Sequence, residues 1–298
     1  MAPPLRTLLF APGNHPRKVA KVFSAAADAV ILDLEDAVAI AEKVATRATV
    51  VDALKASRPC LGYVRVNGFE TAYCYGDIVA VLGPWLDGIV LPKTESAAQL
   101  QALDWLIGNL ERERGLSAGS IDLLPIVETG LGIHRIDEIC ASRTRVKRVS
   151  FGAGDFTRDM NFVWTPDELE LNHARSRMVL ASRVAAIEPP IDTVFIDLRD
   201  TVHLEKSAHT GLSMGFQGKL CIHPDQIAAV NRVYTPNEKQ ITEARKHIAA
   251  FRDAEASGSA SIQVDGYFVD YPIVEKAKRI LALAEGIAER ERRAAAWR

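Results

Sequence analysis

The chain has 298 residues, 48% of them hydrophobic and 25% charged, a balance that excludes a disordered polymer and suits a soluble enzyme with a sizeable core. Its formal net charge of -2 at pH 7 gives no long-range field for gathering nucleic acid, so an anionic ligand has to be held by a local cluster of cations. A (β/α)8 barrel needs roughly 250 residues, which leaves room for one such domain and a tail.

The opening stretch up to Pro12 is too poor in apolar residues for a signal h-region or a membrane span. Cys60, Cys74, Cys140 and Cys221 lack CxxC spacing, so buried, reduced thiols in a cytoplasmic protein are expected. Short β-rich runs follow in chain order at residues 6–11, 29–33, 62–67, 88–91, 123–128, 148–152, 193–196 and 219–222. Between them, segments such as 37–56, 95–114, 137–141 and 169–187 repeat apolar residues at a spacing of three and four, the helical period. Eight strands with crossover helices predict a closed parallel TIM barrel, with an open doubly wound sheet as the alternative. The predicted division is a catalytic barrel over residues 1–255 and a tail over 256–298. In that tail 256–261, rich in Ala, Ser and Gly, reads as a flexible linker, 262–271 as a short strand and turn, and 272–298 as a final helix. The tail is expected to act as a lid or as an arm reaching a neighbouring subunit.

In a barrel the active site lies at the carboxyl ends of the strands. The second run ends in Asp33, Glu35 and Asp36, the third in Arg65 and Asn67, the fifth in Glu128, and the sixth runs through Gly152 and Gly154 to Asp155. Glu128 and Asp155 on neighbouring strands need a cation to offset their repulsion, and oxygen donors without nearby His or Cys match Mg2+. The alternative is that each carboxylate caps the following helix. Arg65 suits a bidentate grip on a substrate carboxylate, or else a salt bridge to Asp33 or Glu35. One or two of the acidic trio read as acceptors for metal-bound water, and Asp36 as a cap for a helix starting near Ala37. The two glycines let the backbone approach a ligand closely; they do not complete a dinucleotide fingerprint.

The segments Arg6-Thr-Leu-Leu-Phe-Ala-Pro-Gly13, Val30-Ile-Leu-Asp-Leu-Glu-Asp-Ala-Val38, Val64-Arg-Val-Asn67, Leu91-Pro-Lys93, Val127-Glu128-Thr129, Phe151-Gly-Ala-Gly-Asp155 and Ile222-His-Pro-Asp-Gln226 together resemble the citrate lyase beta-subunit-like family of the HpcH/HpaI aldolase superfamily, which includes malyl-CoA and citramalyl-CoA lyases. The resemblance implies a (β/α)8 barrel binding Mg2+ through Glu128 and Asp155, with Arg65 clamping the keto acid or hydroxy acid. It places the pantetheine and phosphates of coenzyme A near the first loop, where Arg17, Lys18 and Lys21 lie, though Lys18 equally suits a solvated helix face. Asp33 and Glu35 join the substrate-binding set. The segment Gly266-Tyr-Phe-Val-Asp270-Tyr-Pro272 looks like the family's acid-bearing closing segment, which makes Asp270 the candidate proton donor or acceptor; an ordinary turn Asp is the alternative.

The implied reaction is Mg2+-dependent carbon–carbon cleavage or formation of a β-hydroxyacyl-CoA such as malyl-CoA or citramalyl-CoA, giving acetyl-CoA and a 2-oxo acid. The alternatives are an acyl-CoA thioesterase at the same metal site and a citrate lyase beta subunit acting on an acyl-carrier protein. His223 either touches the adenine end of coenzyme A or forms a structural His-Pro turn, and Lys93 reads as a salt bridge rather than a Schiff base. The expected partners are small molecules, with no nucleic acid and no membrane, and the expected assembly is a homotrimer or hexamer whose lid comes from a neighbour.

Overall fold

The computed structural model describes residues 5–297. The helices are α1 (Pro16–Val22), α2 (Lys43–Lys55), α3 (Cys74–Val81), α4 (Ala97–Glu113), α5 (Gly130–His134), α6 (Ile136–Cys140), α7 (Ala153–Asp159), α8 (Asn172–Val184), α9 (Thr201–Met214), α10 (Gln226–Tyr234), α11 (Glu238–Ala256) and α12 (Tyr271–Trp297). The strands β1 (Thr7–Pro12), β2 (Ala29–Asp33), β3 (Leu61–Arg65), β4 (Gly88–Leu91), β5 (Asp122–Val127), β6 (Ser150–Phe151), β7 (Ile191–Asp192) and β8 (Gly218–Cys221) close into a parallel barrel in sequence order, β8 pairing with β1. The open-sheet alternative is thereby removed.

Strand parity explains both the core and the location of the polar groups. Leu8, Ala29, Ile31, Tyr63, Val90, Leu124, Ile126, Ile191 and Leu220 form one cluster, each two residues along its strand from the next inward position. Continuing the same step beyond the cluster leads from Ile31 to Asp33, from Tyr63 to Arg65 and from Ile126 to Glu128. Alternate residues such as Leu9, Val30, Leu32, Val64, Ile89 and Leu123 are also buried, as expected for parallel strands covered by helices. A Ser96/Gln99 capping box starts α4, Thr129 caps α5 and Asp200 caps α9, satisfying helix N–H groups that would otherwise lack partners.

The seventh strand is Ile191–Asp192 and not residues 193–196. The apolar Val194-Phe195-Ile196 run suggests a strand, but pairing with β8 occurs just after the Pro189-Pro190 pair. Asp192, alternating with inward Ile191, accepts Arg175 Nε at 2.9 Å, Arg175 Nη2 at 3.0 Å and Lys219 Nζ at 3.0 Å. Arg175 Nη2 also meets Glu168 Oε2 at 2.6 Å, and Ser207 joins Glu168 to Lys219. This network is buried and ties α8 and α9 to β7 and β8.

A second compact unit begins at Val233. It has its own core of Phe251, Val264, Val269 and Val274, built from α11, the antiparallel pair β9 (Ser261–Val264) and β10 (Tyr267–Asp270), and α12. The expected boundary at 255/256 therefore falls inside this unit. The stretch expected as a linker forms the end of α11 and its turn: Ser257 N–H donates to Ala254 O at 3.0 Å, and Gly258 takes a φ of 85° before β9 begins. The expected strand, turn and final helix are present. No helix among the described residues is long and apolar enough to cross a membrane. No disulfide joins the four cysteines; Cys74, Cys140 and Cys221 are buried and Cys60 partly so.

Burial alone would raise the Asp192 carboxyl, but Lys219 and Arg175 outweigh it and hold the group below its ordinary value. Asp192→Ala, which leaves two buried cations without their anion, is expected to cost about 3–5 kcal/mol, read as a lower urea midpoint at unchanged m-value. Because the folded value is depressed, the carboxylate's contribution is complete above the unfolded value of about 3.9 and is lost as pH falls through the folded value.

Candidate active site

A cavity of about 300 Å3 opens at the carboxyl end of the barrel, lined by Phe10, Asp33, Arg65, Glu128, Gly152, Asp155, Thr193 and Ile222 among others. It brings together the candidate side chains Asp33, Arg65, Glu128 and Asp155. Asp33 is buried and saturated: Oδ1 accepts Arg65 Nε at 2.7 Å and Glu35 N at 2.9 Å, while Oδ2 accepts Arg65 Nη2 at 2.6 Å and Ala37 N at 3.1 Å. Burial raises its carboxyl, but Arg65 and the two amides win and keep it low. Arg65 Nη1 lies 3.0 Å from Glu35 Oε2, and the guanidinium carbon sits 4.9 Å from the Phe10 ring centre. The salt-bridge alternative for Arg65 is therefore present at a residue that also faces the cavity. Of its five N–H groups, two donate to Asp33.

Glu128 is buried at the end of β5 and accepts Lys93 N at 2.8 Å. Burial, supported by Asp155 and opposed by Arg65, pushes its carboxyl up to about 8. The following helix, α5, is capped by Thr129, so Glu128 is not its cap. Asp155 lies in the first turn of α7, one step beyond β6, and its side chain makes no capping bond. Its Oδ1 is 2.6 Å from Arg158 Nη2 and its Oδ2 is 3.9 Å from Lys93 Nζ. The start of α7 is fixed by Thr193 Oγ1, which accepts Ala153 N at 2.8 Å.

Asp36 is not a helix cap. The 3-10 turn leading into α2 begins at Ile40 with Ala39 at its cap, and the exposed Asp36 carboxylate is 3.6 Å from Lys93 Nζ. The chain stays non-helical here because Asp33 holds Glu35 and Ala37 N–H, and the buried Lys43 donates to Leu34 O at 3.1 Å and Glu35 O at 2.8 Å. Burial would lower the Lys93 ammonium, but its contact with Glu35 keeps it raised. A Schiff-base lysine requires the opposite shift.

Arg17 and Lys21 are exposed on or beside the exit of β1, on α1. His223 forms a local turn: its Nδ1 accepts Asp225 N at 3.3 Å, and its N–H donates to Gln226 Oε1 at 3.3 Å. Asp270 belongs to the second unit, where Oδ1 accepts Ile273 N at 3.4 Å in the first turn of α12. Sequence reasoning missed Lys43, which holds the turn after β2, and Thr193, which lines the cavity and fixes the start of α7; neither belongs to a recognisable motif. It also expected Gly152 to admit a ligand, whereas the close neighbour is a side chain of the protein. A Cβ there would lie 2.3 Å from Glu128 Oε2 and 2.6 Å from Glu128 Cβ, so the missing side chain makes room for Glu128.

Residues 6–224 match the family described as HpcH/HpaI aldolase/citrate lyase. The chain belongs to this family. Over 285 residues it is 38% identical to the citrate lyase subunit beta of Leuconostoc mesenteroides subsp. cremoris, covering 94% of this chain and 93% of that one. It is 34% identical over 310 residues to an L-malyl-CoA/beta-methylmalyl-CoA lyase of Cereibacter sphaeroides, with 96% of each chain covered. Among solved family structures, CitE from Mycobacterium tuberculosis in complex with magnesium, acetoacetate and coenzyme A superimposes with a TM-score of 0.77 at 30% identity, covering 95% of this chain and 98% of that one.

Gly152→Ala is expected to force Glu128 aside and destabilise the protein by about 1–3 kcal/mol. Gly154→Ala, whose nearest neighbour would be Trp164 at 3.8 Å, is expected to keep its wild-type melting temperature. Thermal denaturation of the pair checks the assignment.

Proposed function

We propose that this protein is a Mg2+-dependent carbon–carbon lyase acting on a β-hydroxyacyl thioester of coenzyme A, with malyl-CoA or citramalyl-CoA as the substrate class. The observation that carries this reading is the convergence of Glu128, Asp155 and Arg65 on one cavity in a family whose relatives are named as lyases. The donor set fits the ion. Glu128 is a buried carboxyl whose ionisation is suppressed by burial and by Asp155, and two hard oxygen donors with space for substrate oxygens are what Mg2+ takes. Glu128 and Asp155 would hold it. When bound, Mg2+ supplies positive charge that stabilises the oxygens of the keto acid.

The protein's own groups account for the rest. The Arg65 N–H groups not donated to Asp33 hold the carboxylate of the 2-oxo acid, and the fixed guanidinium orients it. A base takes the proton of the β-hydroxyl as that oxygen becomes the carbonyl of the oxo acid; the electrons of the breaking carbon–carbon bond pass to the thioester enolate, whose carbon then takes a proton. Asp270 is the proposed carrier of that proton, reached by resemblance of the 266–272 segment; Tyr267 and Phe268 beside it are exposed. Arg17 and Lys21 are proposed to meet the phosphates of coenzyme A, and His223 its adenine end. The proposed assembly is a trimer or hexamer in the cytoplasm, with the acid-bearing segment supplied by a neighbour.

The 38% identity to a citrate lyase beta subunit favours one second reading, in which the thioester is carried on an acyl-carrier protein. The test is incubation of the purified protein and Mg2+ with malyl-CoA and citramalyl-CoA separately, following acetyl-CoA, free CoA and keto acid. Acetyl-CoA with glyoxylate or pyruvate, lost in Asp155→Ala by a factor of at least about 10³, is the expected result. Free CoA with intact hydroxy acid would establish a thioesterase, and no reaction with either ester would favour the carrier-protein substrate. Asp270→Asn is expected to lower kcat about 10²–10⁴-fold while Mg2+ affinity, read by calorimetry, stays unchanged. An unchanged kcat would remove Asp270 from proton transfer.

A further inference from the structure

We propose that Lys93 is a positioning residue that withholds Glu35 from the metal held by Glu128 and Asp155, leaving coordination positions for substrate oxygens. The inference rests on the Mg2+ reading above. Lys93 follows β4 in the left-handed region, with a φ of 50°, a backbone conformation that a lysine adopts only when its surroundings impose it. In that conformation its N–H reaches Glu128 Oε1 at 2.8 Å. Its ammonium contacts Glu35 Oε1 and lies 3.6 Å from Asp36 Oδ2 and 3.9 Å from Asp155 Oδ2. The main chain thus steadies one proposed metal ligand, while the side chain stands between the other and a third carboxylate.

Glu35 differs from its neighbour Asp33 in how it is held. Asp33 is locked by four aligned donors. The second oxygen of Glu35 is buried with no aligned hydrogen-bond donor, although Arg65 Nη1 lies 3.0 Å away. Charge keeps Glu35 where it is: the Arg65 guanidinium beside Oε2 and the Lys93 ammonium on Oε1. Without the ammonium, Oε1 of Glu35 loses its partner and is free to turn toward a divalent cation while Arg65 stays beside Oε2. A third carboxylate ligand would tighten Mg2+ binding, because affinity rises with ligand charge, and would occupy a position the substrate needs.

The experiment is a double-mutant cycle of Lys93→Met and Glu35→Gln, with Mg2+ binding measured by calorimetry in the absence of substrate and kcat measured alongside. Lys93→Met is expected to bind Mg2+ about tenfold more tightly and to turn over at least about tenfold more slowly. Glu35→Gln alone is expected to leave Mg2+ affinity within about twofold of wild type, yet to reverse the tightening when added to Lys93→Met. Lys93→Arg, which keeps the charge, is expected to rescue the wild-type metal affinity. Lys93→Gln replaces Lys93→Met if the latter fails to fold. Wild-type or weaker Mg2+ binding in the charge-removing variant overturns the inference, as does tightening that Glu35→Gln leaves in place. Glu128→Gln, run in parallel, separates the two levels. Undiminished Mg2+ binding there overturns the metal reading itself. Its loss there, together with wild-type affinity in Lys93→Met, overturns only the role of Lys93.

Discussion

The bidentate pair between Asp33 and Arg65 is the interaction on which the mouth of this barrel depends. Inward parity sends a carboxylate from β2, a guanidinium from β3 and a carboxylate from β5 into one buried space. Isolated charges there would be strongly disfavoured. Asp33 neutralises Arg65, and the same carboxylate gathers the amides of Glu35 and Ala37, so the ion pair also folds the acidic turn after β2. Glu35 then has no freedom to join a helix, and its side chain is brought to Arg65 and Lys93. Phe10 stacks near the guanidinium, limiting the directions in which it can move.

Much of this arrangement was legible because strands have a period of two. Once Ile31, Tyr63 and Ile126 are read as inward residues, Asp33, Arg65 and Glu128 follow as the next inward positions, and the apolar runs locate them without any tertiary information. The reading failed where the deciding partner is distant in sequence. Nothing in the local pattern around β7 distinguishes Ile191–Asp192 from the more apolar residues after it; the ion pairs of Asp192 with Arg175 and Lys219 come from other elements. Asp36 resembles a helix cap by position, but Asp33 and Lys43 hold the backbone in another conformation before α2 begins. Gly152 announces close approach, yet only the structure shows that the approaching group is Glu128.

The C-terminal residues illustrate a different limit. A stretch of Ala, Ser and Gly has the composition of a linker, and composition alone does not show that α11 runs into it or that β9 and β10 pair immediately after it. The hydrophobic cluster of Phe251, Val264, Val269 and Val274 supplies the missing constraint. It makes the hairpin and the flanking helices one packed unit, and it sets Asp270 at the junction of a strand and a helix, where the carboxylate meets Ile273 N. A carboxylate in that position can serve the backbone locally, so a cap and a proton carrier are compatible descriptions of the same side chain.

Charge also narrows the chemistry available at the barrel mouth. Breaking a bond between a carbinol carbon and the α-carbon of a thioester needs a sink for the bond's electrons, which pass to the thioester enolate as the carbinol oxygen loses its proton and becomes the carbonyl of the oxo acid. In aldol chemistry on ketones a general electron sink is a lysine imine, which needs a neutral amine in a site that lowers its proton affinity. Lys93 is in the opposite situation: it lies among Glu35, Asp36 and Asp155, and burial, which would lower its ammonium, is outweighed by Glu35, Glu128 and Asp36, which keep it raised. Burial, with the same crowding of carboxylates, suppresses the ionisation of Glu128, which is the condition for recruiting a divalent cation. The acidic composition of the mouth therefore favours the proposed metal-dependent route for a physical reason that stands apart from the family likeness.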